Sequence, residues 1–181
     1  EDILHQTYFL LMNIKRMPMA TTPKSVVLDK ATDLKKRAQE ILRKTNLVET
    51  LQAHGEVIFT GSFELNTMVW NDIDLQILSK NGTTENKTLI AQLAQSFISE
   101  LPIKKLNFID FNIHKKPKMP KGHYLGFQYW DAEHSEEWKF DIWILTKDDF
   151  EKNQKFMNQM RNELIGDLKE EAIHLKAKLT E

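Results

Sequence analysis

Three aspartates are the residues best suited to chemistry in this chain: Asp72 and Asp74, one residue apart, and Asp141 far downstream. The run Asp72-Ile73-Asp74-Leu75-Gln76-Ile77-Leu78 alternates as a strand does. Both carboxylates therefore project from one face, and Ile73, Leu75 and Ile77 enter a core from the other. Neighbouring acids on a strand backed by a core repel each other and invite a divalent cation. Asp141 lies within Trp138-Lys139-Phe140-Asp141-Ile142-Trp143-Ile144-Leu145. There Trp138, Phe140, Ile142 and Ile144 share one face, and Lys139, Asp141 and Trp143 the other. A carboxylate amid so apolar a strand is costly to bury unless it is paired, hydrogen-bonded or bound to a metal. If the two strands are neighbours, three carboxylates converge on one patch.

Three carboxylates suit magnesium, a hard cation that takes oxygen ligands and shares them with water and substrate phosphates. Two such ions would activate an attacking hydroxyl and stabilise a leaving pyrophosphate. Upstream of the acids stands Gly61-Ser62. Gly61 would let the backbone come close to a phosphate. Ser62 offers a hydroxyl and an N-cap for a short helix, whose free amides and dipole favour an anion.

Gly61-Ser62, a short helix, Asp72-Ile73-Asp74 on the next strand and Asp141 on a later one together resemble the polymerase-beta-like nucleotidyltransferase superfamily. The resemblance covers about Val57 to Leu145 with the helix before it. It implies that Gly61 and Ser62 bind a nucleoside triphosphate, ATP foremost. It also implies that Asp72, Asp74 and Asp141 are the catalytic residues and hold magnesium, two ions when nucleotide is bound, with Asp141 as the base or base-orienting group. The implied reaction moves a nucleoside monophosphate onto an acceptor and releases pyrophosphate. The acceptor stays open among a small molecule such as an antibiotic, a protein side chain, another nucleotide and an RNA end. Many members carry a second glycine four residues after the serine; here Asn66 stands there, a residue that tolerates left-handed backbone angles.

Three other readings compete. Asp72 and Asp74 would be solvent-facing acids on an edge strand, with Asp141 salt-bridged to Lys139. The fold would serve as a nucleotide-binding or antitoxin-like interaction module with little or no turnover. Or the acids would serve a phosphohydrolase with water as acceptor.

These residues need a scaffold to position them. Leu34, Ala38, Ile41, Thr45, Val48 and Gln52 recur at helical steps, predicting one amphipathic helix over about 28–53. Gly55 ends it, and Glu56 to Thr60 has strand content. A short helix over 63–68 and the Asp72–Leu78 strand follow, then an Asn81-Gly82 turn and a helix over 84–101. Further strands are expected at 105–113, 124–129 and 138–145, the last two joined by a hairpin. Residues 146–180 read as helical with a break near Gly166. This mixture predicts an α+β fold, a nucleotidyltransferase-type mixed β-sheet with flanking helices. The expected organisation is an N-terminal lead-in over 1–27, closed by Pro18 and Pro23, a nucleotidyltransferase domain over 28–146, and a C-terminal helical segment over 147–181 that stops within its pattern, as in a fragment of a longer protein.

The remaining composition sets bounds. The chain has 181 residues, 41% of them hydrophobic, enough for a substantial single core. A formal net charge of −1 argues against a protein that coats nucleic acid. The absence of cysteine excludes disulfides and thiolate metal sites and agrees with a cytoplasmic setting. No apolar run approaches a membrane span, and Tyr8 to Met12 is too short for a signal peptide without a cleavage site. The basic stretch Lys115 to Lys121 reads as a solvated loop rather than a phosphate grip. Most aromatics of the hairpin region read as core, with Trp143 the best placed to stack on a base. The six histidines lack metal-ligand spacing; His123 and His134 read as surface or turn residues, and Met157 and Met160 as core.

Overall fold

The computed structural model describes residues 24–80, 83–117 and 119–179. Most of the expected lead-in, with Pro18 and Pro23, and the Asn81-Gly82 turn lie outside them. The described chain opens on helix α1 (Lys24–Thr45), so the helix begins inside the segment expected to be lead-in. The single helix predicted to reach residue 53 is two, because Asn46 takes a left-handed φ of 51° between α1 and α2 (Leu47–Gln52). The bend lets Leu47 and Leu51 of α2 join Leu34, Ala38 and Ile41 of α1 in one core.

Strand β1 (Gly55–Thr60) runs straight into the short helix α3 (Gly61–Leu65). The helix starts earlier than the sequence suggests, and Thr60, not Ser62, occupies its N-cap without a side-chain hydrogen bond. β2 (Asp72–Ser79), α4 (Thr83–Glu100) and β3 (Ile103–Asp110) follow. β3 stops short of the predicted 113 because Ile113 and His114 turn back to bond the Asp110 carbonyl. β4 (Gly122–Asp131) and β5 (Glu136–Leu145) form the expected hairpin. α5 (Lys147–Glu163) and α6 (Gly166–Lys178) part at the anticipated break, where Gly166 has φ +51°.

The fold is α+β, with a five-stranded mixed sheet in the order β1-β2-β5-β4-β3. β2 pairs antiparallel with β1 and parallel with β5, and the remaining pairs are antiparallel. The acids therefore do not lie on an edge strand: β2 is interior, flanked on both sides. The face bearing Ile73, Leu75, Phe140, Ile142, Leu125 and Phe127 is covered by α1, α2 and α4 and forms the main core. α5 and α6 close the end of the molecule beside α3 and α1. There Leu65 meets Met157 and Met160, both core as expected, and Val27 and Ala31 meet Ile173. No helix among the described residues is long and apolar enough to cross a membrane.

Candidate active site

The parallel pairing of β2 with β5 decides the geometry. Its register sets Asp74 directly opposite Asp141 and Asp72 opposite Lys139, while Thr60 pairs with Asp74 from β1. Carboxylate oxygens of Asp72, Asp74 and Asp141 all lie within 4.8 Å of one another. All three side chains are buried. Asp72 Oδ1 and Asp74 Oδ2 are buried with no hydrogen-bond partner, which is costly for an acceptor oxygen. Burial first, and then the charge of Asp141, raises the Asp72 carboxyl to about 6. Burial, followed by the charges of Asp72 and Asp141, pushes Asp74 well above the ordinary carboxylate range. Clustered, desolvated oxygens without partners are the donor set that a hard divalent cation accepts.

Two further groups hold Asp141. Tyr124 donates its hydroxyl to Asp141 Oδ1 at 2.6 Å, and Lys139 donates its ammonium to Asp141 Oδ2 at 2.6 Å. The ammonium also stands 3.9 Å from Asp72 Oδ1, so the expected Lys139–Asp141 pair exists within the cluster. Burial, then Asp141, raises the Tyr124 hydroxyl far above its usual range and keeps it a donor. Tyr124 reaches Asp141 because Gly126, which pairs with Asp141, has no side chain: a Cβ there would lie 2.2 Å from the Tyr124 hydroxyl. On the other side of Asp72, Trp70 Nε1 donates to Asp72 Oδ2 at 3.4 Å.

Gly61 has φ +62°, and a Cβ added to it would lie 2.2 Å from Asp74 Oδ2. Its bareness thus makes room for the Asp74 carboxylate, a demand the sequence reading did not anticipate. Ser62 is buried with its hydroxyl unpartnered. Asn66 ends α3 at φ 54°, the left-handed conformation for which the resemblance would put glycine.

Lys176 is a functional candidate that sequence reading passed over. It comes from α6, is fully buried, and donates to the Thr67 carbonyl at 3.0 Å above the Trp70 ring. Burial lowers its ammonium to about 8 against the pull of Asp74 and Asp72. The signal was present, since Lys176 follows Ala172 and Ile173 at helical spacing on the buried face of α6. Tyr124 had a weaker one, because only the hairpin register puts it on the face of Asp141.

Other expected features lie away from the acids. The basic stretch is a loop between β3 and β4, and Lys121 bonds Asp149 through its backbone amide; Lys118 lies outside the described residues. Trp143 shares the face of Asp141, but its ring packs against Phe111 and Tyr124 at 4.9 and 5.1 Å. His123 is not a surface residue. It is buried within β4 beside Asp110 and Asn112, because its position alternates onto the helix-covered face. His134 lies in the hairpin turn against Asp131, as a turn residue should.

No protein-family model and no curated protein matches the sequence. Among solved structures, the chain is similar to the small alarmone synthetase 2 from Bacillus subtilis: 17% identity and TM-score 0.47, covering 84% of this chain and 92% of that one. It is also similar to a GTP pyrophosphokinase family protein from Streptococcus pneumoniae: 12% identity and TM-score 0.43, covering 84% of each. A cytoplasmic RNA terminal U-transferase gives 12% identity and TM-score 0.42, over 87% of this chain and 39% of that one. Similarities at this level transfer no activity to the chain.

Proposed function

We propose that this chain is a magnesium-dependent nucleotidyltransferase, moving a nucleoside monophosphate from a nucleoside triphosphate such as ATP to an acceptor and releasing pyrophosphate. The observation that carries the reading is the convergence of Asp72, Asp74 and Asp141 from two adjacent parallel strands, with buried oxygens left without partners. Asp72, Asp74 and Asp141 would hold the metal, which when bound supplies Lewis-acid stabilisation of phosphate charge. Gly61 and the unpartnered hydroxyl of Ser62, beside Asp74, would bind the triphosphate. Asp141 would take the proton of the acceptor hydroxyl, with Tyr124 and Lys139 holding its carboxylate in place.

The test is magnesium-dependent thermal stabilisation by each common nucleoside triphosphate, followed by an assay for pyrophosphate release. Asp72→Asn and Asp141→Asn should each lower turnover by at least about a hundredfold. Unchanged binding and turnover in both variants would remove the assignment.

One observation favours nucleotide binding without turnover. The Lys139 ammonium already sits between Asp141 and Asp72 and offsets part of their charge without a metal. On that reading nucleotide stabilises the protein, and no pyrophosphate appears with any acceptor. Free phosphate or nucleoside monophosphate, rather than a modified acceptor, would instead mark hydrolysis.

A further inference from the structure

The strand registers order the acid-bearing face of the sheet row by row. Asp74 pairs with Thr60 on one side and with Asp141 on the other. Asp141 pairs in turn with Gly126, and Gly126 with Asn107. One row therefore runs Thr60, Asp74, Asp141, Gly126, Asn107, from one edge strand to the other. The neighbouring row runs Asp72, Lys139, Gln128, Lys105. Gly61 continues β1 and backs onto Asp74, so Gly61-Ser62 lies on the β1 side of the acids. On the β4 side lies a recess of about 130 Å³, lined by Tyr124, Gly126 and Gln128 of β4, Lys105 and Asn107 of β3, and Lys139 of β5. The acids stand between the two.

A displacement at phosphorus puts the attacking and leaving oxygens roughly in line, on opposite sides. With pyrophosphate leaving on the Gly61-Ser62 side, the attacking hydroxyl comes from the β4 side, past Asp141. We propose that this recess seats the acceptor, and that the acceptor is a small alcohol carrying a phosphate, its hydroxyl at Asp141 and its phosphate at Lys105. The place of the recess in the reaction rests on the nucleotidyl-transfer reading. In that step the acceptor oxygen forms a bond to the α-phosphorus, and the bond from the α-phosphorus to its bridging oxygen breaks. Pyrophosphate leaves with that electron pair, and the hydroxyl proton passes to Asp141.

The ligand class follows from the lining. Its polar side chains are two ammonium groups, two carboxamides and a phenol, with no carboxylate among them. Lys139 is already engaged by Asp141 and Asp72. Lys105 is exposed and has no ion pair among the described residues, so it is the cation left for an anion. It stands in the row of Lys139 two strands away, a span of about 10 Å at the usual strand spacing. That span suits a hydroxyl and a phosphate at opposite ends of one sugar-sized ring. Asn107 and Gln128 offer amide donors and acceptors to the other ring hydroxyls. The recess is smaller than the roughly 300–1,000 Å³ of sites for larger ligands, so it holds one ring. A nucleic-acid strand is held by repeated phosphate contacts and by bases stacked on aromatic faces. Here the nearby rings are engaged: Trp143 packs on Phe111 and Tyr124, and Trp130 carries the Lys104 ammonium at 3.9 Å.

The test reads acceptor binding separately from nucleotide binding, on the same full chain. Ligand-observed NMR of the nucleotide-free protein would probe glucose 6-phosphate and myo-inositol 1-phosphate, with glucose, myo-inositol and a short oligoribonucleotide as comparisons. Magnesium-dependent stabilisation by ATP would be measured in parallel. At least one phosphorylated probe should bind, about fivefold or more better than its parent alcohol. Lys105→Gln should remove most of that preference, weakening the phosphorylated probe by roughly threefold to tenfold. Asn107→Trp, at an exposed position on the edge strand β3, should fill the recess and block binding, and the strand tolerates an aromatic there. Both variants should keep the ATP response. The assignment is overturned if no phosphorylated probe binds, if the parent alcohol binds as well, if binding survives Asn107→Trp, or if the oligoribonucleotide binds more tightly than either phosphate. Absence of an ATP response in the unaltered chain would strike the nucleotidyl-transfer reading and leave the phosphate-binding recess standing.

Discussion

Asp72 carries two opposed demands, burial against a core-backed strand and a negative charge beside two more acids. Burial and then Asp141 raise it to about 6, and Asp74 moves the same way. A carboxyl whose folded pKa exceeds its unfolded value binds more protons in the folded state. Its contribution to stability is therefore most favourable below about pH 4 and declines as pH rises to about 6. Asp110 behaves oppositely: its hydrogen bond from Lys87 lowers it to about 2, so its stabilisation is lost only as pH falls below about 4. The two windows do not overlap. In chelator, the melting temperature should fall as pH rises from about 4 to about 6, and Asp72→Asn should flatten that fall. Magnesium should restore stability chiefly above about pH 6, where Asp72 has given up its proton. A flat chelator profile across the window would show that the acids are not coupled as their geometry requires.

At the scale of the elements, alternation fixed which face each acid takes, and β2 and β5 emerged close to their predicted spans. Alternation cannot say which strands are neighbours, so the convergence of Asp74 and Asp141 was legible only as a condition. It became a fact through the parallel β2–β5 register. The misplaced boundaries share a cause: Asn46 and the α3 start turn on single backbone conformations that apolar periodicity does not report. Gly61 is the sharpest case, because its left-handed φ and its contact with Asp74 make α3 and the acid site one construction. Gly61→Ala should cost at least about 1–2 kcal/mol from backbone conformation alone. It should also displace the Asp74 carboxylate, so urea unfolding and the magnesium-induced shift in melting temperature should worsen together. Asn66→Gly, at an exposed left-handed position, should leave both nearly unchanged. A Gly61→Ala protein with normal stability and a normal magnesium response would separate the turn from the site.

For the whole molecule, the sequence suggests a C-terminal segment appended to a catalytic domain, whereas the packing of α6 joins it to the site. Ile173 closes a cluster with Val27, Ala31 and Val69, and Val69 stands just before Trp70 and the acid strand. Ala172 joins the cluster containing Leu65 of α3 and Met157 and Met160 of α5. Lys176 reaches from the same helix to the Thr67 carbonyl and sets a buried positive charge near Asp72 and Asp74. Local periodicity could show that α6 has a buried face, but not that this face covers the loop leading into β2. Burying the Ile173 and Leu175 side chains contributes about 3–6 kcal/mol. That is a large part of the roughly 5–15 kcal/mol that holds a domain folded. Ending the chain after Leu164 should therefore lower the urea midpoint steeply and abolish magnesium-dependent stabilisation by ATP. The milder Lys176→Met should keep a cooperative fold, because it retains the apolar contacts, yet weaken the ATP response by removing positive charge beside Asp74 and Asp72. If the shortened chain keeps both the full urea midpoint and the ATP response, α6 is an appendage and the site is complete without it. If Lys176→Met alone abolishes folding, the lysine acts as a structural tie to Thr67 and its electrostatic role at the acids falls.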